Sequence, residues 1–261
     1  MQQTNYRIID CHIHPRVDME TETNGLIGTG SLREQVDALQ RTGISQACGS
    51  VIKLGTATSF DDIRRLNDKA LFFRDLFPDF YIPGIVTHPH FPEESCREVE
   101  RCCGGEGARW IGELVGYVHG YGVEYATPNA LAIMRAAVKY RPAVNIHCHD
   151  LQVVEALCIA VPELNFVLAH PGAGKDEILP RVALVARLPN LHLDISGSGI
   201  DRLGMLRRSV DLAGKEKILF GSDYPINNPA VYVHGLLFES LSEDERTAIF
   251  AGNFLRLTGI A

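Results

Sequence analysis

The chain has 261 residues, 46% of them hydrophobic and 22% charged, which is the balance of a folded globular protein and excludes a disordered or fibrous one. With 32 acidic against 25 basic residues it carries −7 and has no run of like charge, so it offers no basic track for nucleic acid. No apolar run approaches the ~20 residues that cross a bilayer, and MQQTNYRIIDCHIH lacks a basic region followed by an apolar signal segment, so a cytoplasmic protein with no membrane partner is the expectation.

In chain order, short apolar runs alternate with helical patterns. A strand over Arg7–His14 is followed by a helix over Ser31–Arg41, where Ser31 and Glu34 have the spacing of a capping box. Strand Gln46–Lys53 precedes helix Asp61–Leu76, strand Tyr81–His88 precedes helix Glu93–Cys102, and strand Ala108–Val115 precedes helix Pro128–Tyr140, with Pro128 suited to a first turn. Then come strand Ala143–His149 and helix Gln152–Val161, strand Asn165–His170 and helix Asp176–Arg187, strand Leu191–Ser196 and helix Arg202–Leu212, and strand Lys217–Asp223 and helix Pro229–Ser240. A last helix, Ser242–Phe250, opens on another Ser with Glu245 three places on.

Eight strand–helix units in a chain of this length predict an α/β protein, a (β/α)8 TIM barrel in one domain with an extra C-terminal helix. An open nucleotide-binding sheet is disfavoured: no G-x-G-x-x-G follows the first strand, and Gly28-Thr-Gly30 comes after a long loop. The seven cysteines contain no CxxC pair and only Cys102 and Cys103 are adjacent, so no disulfide framework or zinc knot is indicated. Cys11, Cys48, Cys148 and Cys158 read as small buried thiols.

A barrel places its chemistry where strands end. The first strand ends in His12 and His14, two apart and so on one face; the fourth ends in Glu113, the fifth in His147 and His149, the sixth in His170, the eighth in Asp223. Any one of these alone reads as a hydrogen-bonded core residue. Together, imidazoles and carboxylates at five strand ends are a ligand set for a divalent ion, and without a cation Glu113 and Asp223 would suffer desolvation and mutual repulsion.

The ordered series IIDCHIH, IGEL, VNIHCH, LAHPGAG, FGSDYP and IFAGNFLRL resembles the amidohydrolase superfamily, in particular its amidohydrolase-related branch of metal-dependent hydrolases. The resemblance implies that His12, His14 and Asp223 bind one ion and that Glu113 bridges to a second held by His147 and His170. One or two divalent ions follow, zinc first and manganese second. Asp223 is also the implied catalytic residue, taking a proton from the activated water and passing it to the leaving group. His149 lies on the same strand face as His147, so either could be the ligand; the resemblance favours His147 and leaves His149 to support a ligand from behind or to contact substrate.

Other mouth candidates have ordinary readings beside functional ones. Lys53 either attracts a substrate carboxylate or is a solvated strand-end lysine. Tyr117 and His119 stand in a Gly-rich segment that is a pocket wall, a mobile lid or a plain loop. His88 and His90 read as structural or exposed. Asp10 and Asn253 read as architectural, and Arg16 either orients an anion or screens the acidic loop Asp18–Glu22.

The leading function is hydrolysis of a small-molecule amide, lactone or ester by a metal-activated water. The alternative is metal-dependent, non-oxidative decarboxylation of an aromatic or dienoic acid, a reaction the resemblance associates with longer chains lacking a strand-four Glu. A phosphodiesterase would need a phosphate track, and a non-catalytic binding barrel would have to retain many clustered ionisable groups for no return. The expected partner is a small molecule, and a homo-oligomer is left open.

Overall fold

The computed structural model describes residues 5–18, 21, 30–53 and 55–260. Met19, Glu20 and most of the loop up to Gly30, Gly28 included, lie outside the described residues. Eight strands form one parallel sheet in the order β1 to β8. The elements are β1 Ile9–Asp10, α1 Leu32–Arg41, β2 Gln46–Ser50, α2 Phe60–Leu76, β3 Tyr81–Ile85, α3 Pro92–Val99, β4 Trp110–Val115, α4 Gly116–His119, α5 Pro128–Ala137, β5 Ala143–His147, α6 Leu151–Ala160, β6 Asn165–Leu168, α7 Lys175–Arg187, β7 Leu191–Asp194, α8 Met205–Ala213, β8 Ile218–Leu219, α9 Pro229–Phe238, α10 Glu243–Thr247 and α11 Asn253–Thr258.

The sheet closes on itself past the regular ladders. Cys11 N donates to Phe220 O (2.9 Å), Asp223 N to His12 O (2.8 Å) and His14 N to Tyr224 O (2.7 Å), joining the first strand to the last. Asp10 locks this seam: its buried carboxylate accepts from His12 N (3.1 Å), Ser222 N (2.9 Å) and Ser222 Oγ (2.5 Å). The architecture is the expected (β/α)8 barrel.

Local sequence explains most helix starts. Ser31 Oγ accepts from Glu34 N (3.2 Å) while Glu34 accepts from Ser31 N (2.6 Å), which is the capping box read from the sequence. Thr127 caps α5 ahead of Pro128, and Ser242 with Glu245 forms a second capping box on α10. The differences lie at ends. Helix Glu93–Cys102 is α3 followed by a wide π-type turn over Glu100–Gly105, and the helix expected from Arg202 is α8, which begins at Met205 because Gly204 before it is left-handed, φ 84°. The single C-terminal helix is in fact α10, another π-type turn and α11, running on to Thr258.

That C-terminal run has a packing role. Ile9, Cys11, Cys48, Trp110, Ala143, Val167 and Leu219, from strands all round the sheet, share one buried cluster with Ala251, Phe254 and Leu257. Residues from opposite strands meet only inside a barrel, so this segment closes the barrel interior at the end away from the strand C-termini. Trp110 and Phe254 rings lie 5.4 Å apart, and Asn253 Nδ2 donates to Lys215 O and Ile218 O, both at 2.7 Å. Asp10 and Asn253 are thus architectural, and all seven cysteines are free.

His192, at the start of β7, is 2% exposed, and burial pushes its pKa down to about 3, with Lys217 and Arg256 adding to the effect. An unfolded histidine binds a proton below pH ~6.5, so this ring removes stability progressively as pH falls from there to about 3. Two pH units on that slope are worth about 2.7 kcal/mol. Urea unfolding of His192→Leu at about pH 7.5 and pH 4.5 should therefore show a stability loss between the two smaller than wild type's by roughly 2–3 kcal/mol. An unaltered difference would remove His192 from the acid sensitivity.

Candidate metal centre

Glu113 reaches the mouth through a backbone device. Along β4 and β5 the register passes from Ile111 opposite Val144 to Leu114 opposite Ile146, so Gly112 and Glu113 together face Asn145 alone. This β-bulge re-aims the strand end. It requires glycine at 112, where φ is 108° and a Cβ would lie 2.1 Å from Asn145 O. His170 and Asp223 are also held in left-handed backbone, at φ 65° and 63°, a conformation that costs non-glycine residues roughly 1–3 kcal/mol and clusters at functional sites.

The candidates converge. His12 Nε2 is 3.2 Å from His14 Nε2, 3.5 Å from Glu113 Oε2 and 3.7 Å from Asp223 Oδ1. His14 Nε2 is 3.3 Å from Glu113 Oε2 and 3.5 Å from Asp223 Oδ1. On the other side, Glu113 Oε1 is 2.9 Å from His147 Nδ1 and 3.3 Å from His170 Nε2. Glu113 therefore stands between two histidine pairs, one oxygen to each. Two triads, His12–His14–Asp223 and His12–Glu113–His170, have ligand atoms within 4.8 Å of one another.

Hydrogen-bond partners assign the tautomers. His14 Nδ1 faces Ser50 O at 2.9 Å, an acceptor only, so it donates there. His12 Nδ1 faces Asp194 Oδ2 at 3.0 Å, and both it and His170 Nδ1 lie 3.0 Å from Ser196 Oγ, whose own hydrogen goes to Asp194 Oδ1. All three rings spend Nδ1–H outward and turn Nε2 toward the carboxylates. In neutral rings these are lone pairs, and lone pairs facing one another and two carboxylates call for a cation.

The charges show the same demand. Burial pushes His12 down, but Glu113 and Asp194 outweigh it and hold the ring well above the ordinary histidine range. Burial pushes Glu113 up, and the His12 charge and hydrogen bond, with the close contacts of His14 and His147, bring it well below the usual carboxylate range. Asp223 is raised by burial, against the opposing pull of His12, His170 and His14. A proton on His12 and a divalent ion between the Nε2 atoms satisfy the same site, so the residues fit a metal.

His149 is exposed, beside His147. Arg181 Nη2 donates to its Nδ1 at 3.0 Å, while its Nε2 lies 3.2 Å from His147 Nε2. Tyr117 is 66% exposed with its ring 5.1 Å from that of His147, at the outer lip. Lys53, past the end of β2, makes no hydrogen bond or ion pair with a described residue. His119 is buried, on a segment held by its own backbone: Gly120, Tyr121 and Gly122 all donate to Gly116 O at 2.9–3.0 Å. His88 is structural, donating to His119 O at 3.1 Å.

Sequence reasoning passed over Asp194, the hub beneath the site. Fully buried at the end of β7, it accepts from His12, Asn145 Nδ2 (2.9 Å), Ser196 N (3.0 Å) and His170 N (3.4 Å). Burial raises its pKa, and the His12 charge and hydrogen bond, with His170 and Ser196, bring it down to about 2. Its signal was present in LHLDIS, a strand-end acid of the same kind as the others.

A closed parallel barrel whose mouth gathers four histidines and two acids around a cation position defines a class of metal-dependent barrel enzymes. The sequence profile described as amidohydrolase matches residues 9–260, and the chain belongs to the amidohydrolase family. No curated protein matches the sequence. Among solved structures, the chain is similar to 2,6-dihydroxybenzoate decarboxylase complexed with 2,6-dihydroxybenzoate, at 17% identity and TM-score 0.74, covering 98% of this chain and 100% of that one. It is similar to a putative amidohydrolase from Staphylococcus aureus, at 15% identity and TM-score 0.79, covering 97% and 100%. It is also similar to dihydroxybenzoic acid decarboxylase from Polaromonas sp. JS666 with bound manganese and 2-nitroresorcinol, at 16% identity and TM-score 0.75, covering 98% and 97%.

Proposed function

We propose that this protein is a divalent-metal-dependent, non-oxidative decarboxylase of a small aromatic or dienoic carboxylic acid. The observation that supports it is the end-to-end likeness to aromatic-acid decarboxylases, some bearing manganese. The sequence reading put hydrolysis first, partly because decarboxylases were expected to be longer; coverage of 97–100% of those neighbours takes that argument away. Manganese moves ahead of zinc for the same reason.

His12, His14 and Asp223 would hold one divalent ion, with Glu113, His147 and His170 around a second. A bound ion supplies Lewis acidity, drawing electron density from substrate oxygens beside the breaking bond. In decarboxylation the bond to the carboxyl carbon breaks, its electron pair stays on the substrate carbon, a proton takes that pair, and CO2 leaves. Asp223, lifted by burial, is the acid placed to deliver the proton. Tyr117 and His149 border the entrance where the substrate's far side would lie.

Hydrolysis of an amide, lactone or ester remains a second reading because one observation favours it: Glu113 sits between two histidine pairs, the place of a carboxylate bridging two ions. Protein loaded with Mn2+ or Zn2+ should be incubated with hydroxybenzoic and dienoic acids and, separately, with lactones, esters and amides. CO2 release that a chelator abolishes is the expected result. Hydrolysis without CO2 would transfer the assignment to the second reading, and neither reaction with either metal would sink both.

A further inference from the structure

Among the described residues neither ring nitrogen of His119 has a hydrogen-bond partner, although the side chain is 1% exposed, as buried as His12 and His14. Such a ring is desolvated without compensation, a state that folded proteins rarely leave unanswered. Looseness does not explain it. The His119 carbonyl accepts from Ala57 N (3.2 Å) and His88 Nε2 (3.1 Å), and His88 is itself fixed by His90 N donating to its Nδ1 (3.1 Å).

α4 follows directly on the strand that carries Glu113, and the charges of Glu113 and His14 reach the ring. Burial, with His88 adding, pushes His119 down to about 4, so near neutrality it offers one N–H and one lone pair. A carboxylate needs donors and positive charge, whereas a hydroxyl both gives and accepts.

We propose that His119 is a specificity-determining residue that hydrogen-bonds a hydroxyl substituent on the carboxylic acid substrate. The proposal rests on the reading of the protein as an enzyme of such acids. Its unpaired nitrogens are then pre-aimed groups whose partner arrives with the ligand. A site built to pair with a hydroxyl discriminates strongly against analogues lacking it.

The test is calorimetric binding of 2,6-dihydroxybenzoate and of benzoate to the manganese-loaded protein, in wild type, His119→Leu and His119→Asn. Because ligand hydroxyls would also be attracted to a bound ion, the informative quantity is the change in preference between variants. The wild-type preference for the dihydroxy acid should shrink by about tenfold or more in His119→Leu and survive in part in His119→Asn. Thermal unfolding of His119→Leu should not fall and is expected to rise, since an unpaired buried ring is removed; a merely structural histidine would do the opposite. An unchanged preference in His119→Leu, a lowered melting temperature without change in preference, or no binding of either acid to wild type would overturn the proposal. CO2 release is followed in parallel. A preference that depends on His119 without any CO2 release refutes decarboxylation and leaves His119 in place; CO2 release with an unchanged preference does the reverse.

Discussion

Turnover of Asp223→Asn is expected to fall by roughly 10³-fold, within the 10²–10⁴ range for losing a positioned acid or base, while the melting temperature stays close to wild type. The substitution keeps shape and removes the titrating proton. Its local cost is small, because burial already disfavours the charged carboxylate and the Asn227 Nδ2 contact at 3.1 Å can still find an amide oxygen. Metal content must be measured alongside, since Asp223 also faces His12 and His14 at 3.7 and 3.5 Å. Wild-type turnover in the variant would remove Asp223 from the chemistry under either reading of the reaction.

Asp194→Asn should weaken metal binding by about 10–100-fold without touching the ion, by the usual effect of losing a carboxylate behind a ligating histidine. The amide turns an NH2 toward donors now spent on the carboxylate: His12 Nδ1, Asn145 Nδ2, Ser196 and His170 N. His12 and His170 then lose the partners that fix their tautomers. Asp194→Ala should go further and destabilise the fold by about 3–5 kcal/mol, because it leaves a buried cluster without its acceptor. Competition with a chromophoric chelator reads the first effect and urea unfolding the second. Unaltered metal affinity in Asp194→Asn would show that the hub merely fills space.

The fold was legible because eight apolar runs alternate with helical patterns, and most capping signals lie within four residues of the helix they start. The histidines and Asp223 were legible because each stands at or within four residues past a strand end, in an ordered series, although the strands themselves are shorter than the apolar runs suggest. Asp194 was less visible since a single acid in LHLDIS reads equally well as a core residue satisfied by hydrogen bonds, and its role depends on His12, 182 positions away. The bulge at Gly112 could not be read, because it exists only relative to β5. The unpaired state of His119 was equally hidden: the sequence made it one residue of a Gly-rich segment, and only packing shows that its nitrogens find no hydrogen-bond partner among the described residues.

The seam between β1 and the segment after β8 has a consequence for biosynthesis. Asp10 and Ser222 are partners 212 positions apart, and His12 and His14 meet Asp223 only when that seam is made. Through most of its synthesis the nascent chain therefore holds only His12 and His14 of the proposed first ligand set. With the proposed ligand set, a complete cation site would exist only after the last strand has been translated and the seam closed.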